Sequence, residues 1–215
     1  AFAKEALDGG CSYAVIDEEE HLVEGCILVE NVLESLQELA KYHREQLRIP
    51  VIGITGSNGK TTTTMLTYHL LKSSGLNVGL AGNIGKSFAW QVAEDQYDSY
   101  VLELSSFQLD GIVKYKPHIA IITNISPDHL DRYEYNYQNY IASKFRITKN
   151  QDANDYLIYD ADDKAINTWL KDHKTKAKLV PFSIEKELEY GAYLKDHTII
   201  INIHKDILTM PLSTL

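Results

Sequence analysis

An α/β fold, with a mostly parallel P-loop-type sheet flanked by helices, is the fold class that this sequence predicts. Short apolar runs alternate with amphipathic helical stretches from residue 51 to residue 182, a pattern typical of strand–helix–strand units. The first run, Val51–Thr55, passes through a glycine-rich turn directly into a helical pattern. The 215 residues are 44% hydrophobic, which is enough to bury the core of one domain and a fraction of another.

The predicted elements alternate through the main part of the chain. Strands are expected at Val51–Thr55, Val78–Ala81, Ser99–Leu104, Ile119–Asn124, Tyr156–Tyr159 and Leu179–Phe182. Helices are expected at Thr61–Ser74, Lys86–Ala93, Tyr137–Thr148 and Lys164–His173. The apolar runs of the tail, Tyr190–Leu215, are short and alternate, so they predict a short C-terminal hairpin or meander.

Residues 1–48 predict a small α/β unit of their own, ahead of a main domain at 49–215. Its expected elements are a helix at Phe2–Leu7, strands at Ser12–Ile16 and Cys26–Glu30, and an amphipathic helix at Val32–Leu47. Two strands and two helices bury too little apolar surface to close a core. We therefore expect this unit to be the remnant of a larger N-terminal domain.

Composition excludes some classes of function and location. The chain has 30 acidic against 21 basic residues, which argues against a general nucleic-acid binder. Its two cysteines, Cys11 and Cys26, make no disulfide framework and favour a reducing compartment. No apolar run reaches membrane-spanning length and the first residues lack a signal-peptide pattern. A cytoplasmic protein without membrane insertion is expected.

The glycine-rich turn predicts a phosphate site. Glycines allow successive backbone N–H groups to point at an anion, a lysine adds positive charge, and a threonine hydroxyl can hold Mg²⁺ at the helix N-terminus. The spacing is the shorter G-x-x-G-K-T form, because Ile54 stands where the strict P-loop has its first glycine. An ordinary strand–turn–helix corner is the alternative. The predicted nucleotide-binding residues are Gly56, Ser57, Asn58, Gly59, Lys60, Thr61 and Thr62.

Further polar residues follow the other predicted strands. In parallel sheets a ligand lies beyond the carboxyl ends of the strands, so these residues are expected at one rim. Glu103 there would reach Mg²⁺ beside a nucleotide or else point to solvent. His129 would be a metal ligand or a hydrogen-bonded loop residue.

A helical face is predicted from the spacing of Tyr133, Tyr137, Tyr140 and Lys144. We expect the tyrosines to pack on the sheet, as in an ordinary amphipathic helix. Lys144 is expected to point back to the rim, where a lowered pKa would make a lysine chemically active.

Taken together, these motifs resemble the Mur ligases, the ATP-dependent amide ligases of peptidoglycan precursor synthesis. The loop at 55–62 resembles the whole superfamily, whereas 82–85, 103–109 and 124–132 look like the branch that adds D-glutamate to UDP-MurNAc-L-Ala, MurD. The match runs from about Gly53 to Phe182. Residues 1–50 look more like the end of the UDP-binding domain of the D-Ala-D-Ala-adding branch, MurF. Since family members have three domains, a fragment or a chimera truncated at both ends is expected.

The resemblance also implies roles for individual residues. The loop and Lys60 would hold the ATP phosphates, and the alanyl carboxylate would attack the γ-phosphate to give an acyl phosphate that D-glutamate then displaces. One Mg²⁺ would bind Thr61 and Glu103, and a second would bind His129 and a carbamylated Lys144. The implied catalytic residues are Lys60, Glu103, His129 and Lys144, and the implied residues on the muramoyl-alanine side are Asn83, Ser105 and Gln108.

Two other functions stay open at this point. One is a MurF-type ligase, which residues 1–50 alone support. The other is a nucleotide-binding module without turnover, which the missing domains favour. A P-loop GTPase is disfavoured because the chain lacks an Asn-Lys-x-Asp motif. The sequence does not predict the oligomeric state.

Overall fold

The computed structural model describes residues 2–47, 49–94, 97–203 and 207–214. The chain divides into two compact units, Ala1–Arg48 and Ile49–Leu215. No helix among the described residues is long and apolar enough to cross a membrane.

The first unit is small and has little interior. Its elements are α1 (Ala3–Asp8), β1 (Ala14–Ile16), β2 (Cys26–Leu28) and α2 (Val32–Leu47), and the two strands pair in parallel. Among its described residues, the buried hydrophobic side chains are those of Ala14 and Ile16. The sequence predicts an apolar face of α2 made of Val32, Leu33, Leu36, Leu39 and Tyr42. Val32 is half-buried, whereas the other four are exposed.

The second unit alternates strands and helices, as the sequence predicts. Its strands are β3 (Val51–Thr55), β4 (Val78–Gly82), β5 (Ser99–Glu103), β6 (Ile119–Ile122), β7 (Tyr156–Asp160), β8 (Lys178–Ser183), β9 (Gly191–Lys195), β10 (Thr198–Asn202) and β11 (Ile207–Pro211). Its helices are α3 (Lys60–Ser73), α4 (Phe88–Glu94), α5 (Ser106–Asp110), α6 (Tyr137–Phe145) and α7 (Lys164–Asp172).

All nine strands of this unit form one sheet, in the order β11-β10-β9-β8-β7-β6-β3-β5-β4. Among the described residues, the strands from β4 to β9 pair in parallel, whereas β10 pairs with β9 and with β11 in antiparallel fashion. The predicted α/β fold is therefore confirmed. The C-terminal meander is also present, but it extends the main sheet because β9 pairs with β8.

The sheet carries a core on each face. On one face Ile54, Val78 and Val101 are buried under Tyr68 and Leu71 of α3. On the other face a larger core includes Tyr100, Leu102, Ile122, Leu157 and, from the covering helices, Tyr140, Phe145 and Ile166. Since both faces of the central strands are covered, a ligand of these strands is expected at their carboxyl ends. β3 lies between β5 and β6, so the turn after β3 stands at the centre of that edge.

Two local predictions need correction. The helix α5 lies at Ser106–Asp110, where the sequence pattern predicts no element. Tyr133 does not belong to the same helix as Tyr140, because it ends a separate 3₁₀ turn, Leu130–Tyr133, and α6 begins only at Tyr137. The two rings still meet, with their centroids 5.4 Å apart.

Candidate functional site

The turn after β3 leads from the middle of the sheet into α3. A Cβ atom on Gly56 would lie 2.0 Å from Oγ1 of Thr123, so only glycine fits there. Gly59 has a φ of 74°, in the left-handed region that glycine adopts without steric cost, and α3 begins at the next residue. The first N–H groups of a helix have no acceptor within the helix, and its N-terminus favours an anion. The turn therefore has the backbone geometry of a phosphate site.

Two lysines donate hydrogen bonds to consecutive carbonyl oxygens of this turn. Lys60 Nζ lies 2.9 Å from the oxygen of Ser57. Lys144 Nζ, which comes from α6, lies 2.9 Å from the oxygen of Gly56 and 3.4 Å from Oγ1 of Thr55. Within the described part of the chain, neither ammonium forms an ion pair with a carboxylate. The site thus holds two neighbouring cations without a paired anion.

Lys144 is almost fully removed from solvent, with 2% of its surface exposed. Its pKa is lowered from 10.5 to about 8, first by burial and then by the positive charge of Lys60. The carboxylates of Asp128, Asp110 and Glu103 act in the opposite direction but do not compensate. A lysine with such a pKa has a much larger neutral, nucleophilic fraction near neutral pH than an ordinary lysine.

Glu103 ends β5 and is buried beside the start of α3. Its carboxylate accepts a hydrogen bond from Oγ1 of Thr61 at 2.7 Å and another from Nδ2 of Asn83 at 2.9 Å. The strand pairing explains the second contact, because Gly82 lies opposite Glu103 where β4 and β5 end. Asn83 also donates its backbone N–H to the backbone oxygen of Glu103 at 2.8 Å. The structure thus brings Thr61, Asn83 and Glu103 together.

This set of donors fits Mg²⁺ beside a bound phosphate. Mg²⁺ prefers hard oxygen ligands and is usually held by one or two protein oxygens together with substrate phosphates and water. The hydroxyl of Thr61 and the carboxylate of Glu103 are such oxygens, and they already stand 2.7 Å apart at the N-terminus of α3. The residues therefore fit the metal that the sequence predicts.

His129 lies farther out on the loop after β6. It has a φ of 49°, and its side chain is 54% exposed. Its Nε2 lies 3.5 Å from Oδ2 of Asp128, and its ring lies 5.3 Å from the ring of Phe107, measured between centroids. The structure places His129 near Asp128 but gives it no direct contact with Glu103.

Among the described residues, one group of three histidine, cysteine or acidic side chains lies close enough to hold a metal ion. It consists of Glu18, Glu20 and His21, in the first unit, and Glu103 and His129 do not belong to it. Its glutamates are exposed, and exposed acidic groups often occur without a metal.

Ser105 and Gln108 form the start of α5. The backbone N–H of Gln108 donates to Oγ of Ser105 at 3.3 Å, and the backbone N–H of Ser105 donates to Oε1 of Gln108 at 2.9 Å. This reciprocal pair is a capping box, which the Ser-x-x-Gln spacing could have predicted. The two residues expected on the substrate side thus also fix the helix that follows β5.

The phosphate turn is held by the segment after β6, which the sequence analysis did not foresee. Oγ of Ser57 donates to the backbone oxygen of Ser126 and accepts from its backbone N–H, both at 2.9 Å. The hydroxyl of Tyr140 lies 3.0 Å from the same Oγ. Asn124 binds the turn as well. The sequence shows a run of small polar residues after β6, but that run does not indicate that it contacts the phosphate turn.

The sequence of this chain resembles those of known proteins. The family model described as the Mur ligase middle domain matches residues 54–209. A UDP-N-acetylmuramoylalanine–D-glutamate ligase of Christiangramia forsetii is 61% identical over 167 residues, which cover 78% of this chain and 38% of that protein. The same-named ligase of Bacteroides fragilis is 58% identical over 151 residues, covering 70% of this chain and 34% of that protein. The chain therefore spans between a third and two fifths of the length of these relatives.

Among solved structures, MurF ligase of Thermotoga maritima in complex with ADP resembles this chain with a TM-score of 0.72. The likeness covers 97% of this chain and 51% of that one, at 22% sequence identity. MurF of Acinetobacter baumannii also gives a TM-score of 0.72, at 19% identity over 96% of this chain and 48% of that one. At these identities the likeness is one of fold.

Proposed function

This chain belongs to the Mur ligase family, and from that premise we propose that residues 49–215 bind Mg-ATP for an ATP-dependent amide ligase of peptidoglycan precursor synthesis. The proposed reaction adds D-glutamate to UDP-MurNAc-L-Ala through an acyl phosphate. One observation carries the proposal, namely a glycine turn that opens α3 directly beside the hydrogen bond between Thr61 and the buried carboxylate of Glu103. Residues 1–48 are proposed to be the end of a UDP-binding domain, and the protein is proposed to act in the cytoplasm.

The nucleotide side of the site follows from the geometry of the turn. The N–H groups from Gly59 to Thr62 would bind phosphate oxygens, and Lys60 would exchange the carbonyl of Ser57 for a phosphate. Thr61 and Glu103 would hold Mg²⁺. When bound, Mg-ATP supplies the γ-phosphate that activates the substrate carboxylate. The residues of the turn then act by positioning and by stabilising negative charge, which dominate catalysis of phosphoryl transfer.

We propose that Lys144 reacts with CO₂ to form a carbamate and that this carbamate and His129 bind a second Mg²⁺. The neutral amine attacks the carbon of CO₂ and one proton is released, so a buried cation becomes an anion. The lowered pKa supports this step, because at pH 7 about one amine in ten is neutral with a pKa of about 8. The labelled carbamate carbon should appear by NMR in ¹³C-bicarbonate, and it should be absent in Lys144→Met.

The substrate side is proposed to include Asn83, Ser105 and Gln108, which would line the site for the muramoyl-alanine group. The names of the two relatives favour D-glutamate as the amino acid that is added. The likeness to MurF is one of fold and does not favour the D-Ala-D-Ala-adding reaction. A nucleotide-binding module without turnover is the second candidate, because the phosphate turn with Thr61 and Glu103 by itself supports nucleotide binding and not the later transfer step.

Calorimetry with Mg-ATP, followed by assays of ADP release, tests the proposal. The chain should bind Mg-ATP, and Lys60→Ala should abolish binding because it removes the cation of the turn. ADP release that needs UDP-MurNAc-L-Ala, D-glutamate and bicarbonate together would support the ligase. Binding without release would favour the module, and a requirement for the tripeptide substrate and D-Ala-D-Ala would favour the MurF reaction. Unchanged affinity in Lys60→Ala would remove the phosphate-site assignment.

A further inference from the structure

Asn124, which has no role in the function proposed above, holds the phosphate turn through both backbone groups of Asn58. Its Oδ1 accepts the backbone N–H of Asn58 at 2.9 Å, and its Nδ2 donates to the backbone oxygen of Asn58 at 3.0 Å. One side-chain amide thus pairs with both backbone groups of a single residue, as a neighbouring strand would. The two residues are 66 positions apart, and they meet because β3 and β6 are adjacent in the sheet.

Other bonds from the same segment hold the same part of the turn. The backbone N–H of Ser57 donates to the backbone oxygen of Asn124 at 2.9 Å, and Oγ1 of Thr123 donates to the oxygen of Asn58 at 2.9 Å. The N–H groups of Ser57 and Asn58 are therefore engaged within the protein. The groups left for an anion begin at Gly59 and continue into the first turn of α3, whose N–H groups lack helical acceptors.

We propose that Asn124 is a positioning residue for the nucleotide phosphates, acting through Asn58. This inference rests on the proposed binding of Mg-ATP. The turn contains Gly56 and Gly59, so its backbone has wide conformational freedom unless other groups restrict it. By fixing the peptide units on either side of Asn58, Asn124 sets the direction from which the chain enters Gly59 and α3. The entropy of ordering the turn is then lost on folding and not on binding, which strengthens binding.

The test compares two variants of Asn124 with a matched control. Asn124→Ala removes both bonds to Asn58, while the pairing of Ser57 with Ser126 remains to keep the turn in place. Asn124→Asp keeps the size of the side chain and an acceptor for the N–H of Asn58, but it cannot donate to the oxygen. Asn150→Ala is the control, because Asn150 is also half-buried and its Nδ2 donates to the carbonyls of Val113 and Tyr115, outside the turn.

Calorimetry with Mg-ATP should show a dissociation constant about tenfold weaker in Asn124→Ala, as expected for two lost hydrogen bonds. Binding should be weaker still in Asn124→Asp, where a carboxylate faces the oxygen of Asn58 and adds negative charge near the phosphates. Asn150→Ala should bind like the wild type. Amide hydrogen exchange without nucleotide should show faster exchange at Asn58 in Asn124→Ala and unchanged exchange there in Asn150→Ala.

Each outcome decides between the two proposals. If the wild type binds Mg-ATP and both Asn124 variants bind equally well while folded, Asn124 has no positioning role and the nucleotide site stands. If melting temperatures fall but affinities measured well below melting do not change, the role is structural and the inference is wrong. If the wild type itself does not bind Mg-ATP, the proposed function fails and this inference fails with it.

Discussion

The two ends of the central strands differ in whether their lysines are paired with carboxylates. At the carboxyl ends of β3 and β6, Lys60 and Lys144 contact backbone oxygens and have no ion-pair partner in the described residues. At the amino ends of β6 and β7, Lys116 lies 2.5 Å from a carboxylate oxygen of Asp152 and 3.0 Å from one of Asp155. At one end of the sheet, the uncompensated end, the lysines Lys60 and Lys144 have no carboxylate partner in the described residues. At the other, the compensated end, Lys116 is paired with two carboxylates.

The pKa values of Lys144 and Lys116 reflect this difference. Burial and the charge of Lys60 lower the pKa of Lys144 to about 8. The hydrogen bond to Asp152 raises the pKa of Lys116 above its ordinary value, and the same bond lowers the pKa of Asp152. An ion pair that satisfies both partners stabilises the fold. A buried charge without a partner costs stability, and such costs concentrate at functional sites.

The largest expected effect is the pH dependence of the free-energy cost of burying the charged ammonium of Lys144. The folded protein releases this proton near pH 8, whereas the unfolded chain keeps it to about 10.5. Between these values the unfolded state binds more protons, so the free energy of unfolding rises with pH, by about 3 kcal/mol in total. Urea unfolding at pH 7.5 and 10, in buffer without bicarbonate, measures most of this rise.

Lys144→Met is the matched variant for this prediction, because it keeps an unbranched side chain of nearly the same length and removes the titrating group. The difference in free energy of unfolding between Lys144→Met and the wild type should shrink as the pH rises from 8 to 10.5. A constant difference across that range would mean that Lys144 is not penalised by burial, and the contrast between the two ends of the sheet would disappear.

The next effect concerns Asp155, which lies at the compensated end and is buried. Its carboxylate accepts the backbone N–H of Asp152 at 2.7 Å and lies 3.2 Å from Nδ1 of His118. Asp155→Ala should lower the free energy of unfolding by about 2 kcal/mol, because several hydrogen bonds to a charged group are lost at once. Thermal unfolding measures the loss, and Mg-ATP affinity well below the melting temperature should not change. Weaker Mg-ATP binding would contradict a purely structural role for this end.

Much of the fold could be predicted because its signals are local. Apolar runs such as Val51–Thr55 and turns such as Gly56–Gly59 are visible in single stretches of sequence. The pairing of β9 with β8 was not predictable, because alternation indicates a strand but does not identify its neighbour. The separate 3₁₀ turn at Tyr133 was missed for a related reason, since a spacing of four residues arises on one helix or across two elements.

The candidate site was predicted less completely. The motifs predict Lys60, Glu103 and Lys144 as site residues, but they do not predict the near-complete burial of Lys144, which depends on how α6 packs against the phosphate turn. The hydrogen bonds between Asn124 and Asn58 depend on the order of strands in the sheet, and no short motif predicts that order. Residues that act through a neighbour distant in sequence therefore need the structure.

A smaller effect is expected from Lys116 at the compensated end. Lys116→Met should lower the free energy of unfolding by about 0.5–1 kcal/mol, since the lysine is partly exposed and solvent weakens its ion pairs. Chemical denaturation at low and at high salt tests this, because screening should reduce the difference between variant and wild type. The sign should be opposite to that of Lys144→Met at pH 7. The same sign for both substitutions would show that ion pairing does not distinguish the two ends.

The smallest effect concerns Ser105, where a structural role and a proposed substrate role meet in one side chain. Ser105→Ala removes the acceptor for the N–H of Gln108 and should cost about 0.5–1 kcal/mol, as for other caps at a short, partly exposed helix. Ser105→Thr keeps the capping hydroxyl and should recover most of that loss in thermal unfolding. If Ser105 also touches substrate, the added methyl group should still weaken binding of UDP-MurNAc-L-Ala in calorimetry while Mg-ATP affinity stays the same. Recovery of both stability and substrate binding in Ser105→Thr would leave the cap as the sole role of Ser105, and its proposed place on the substrate side would be withdrawn.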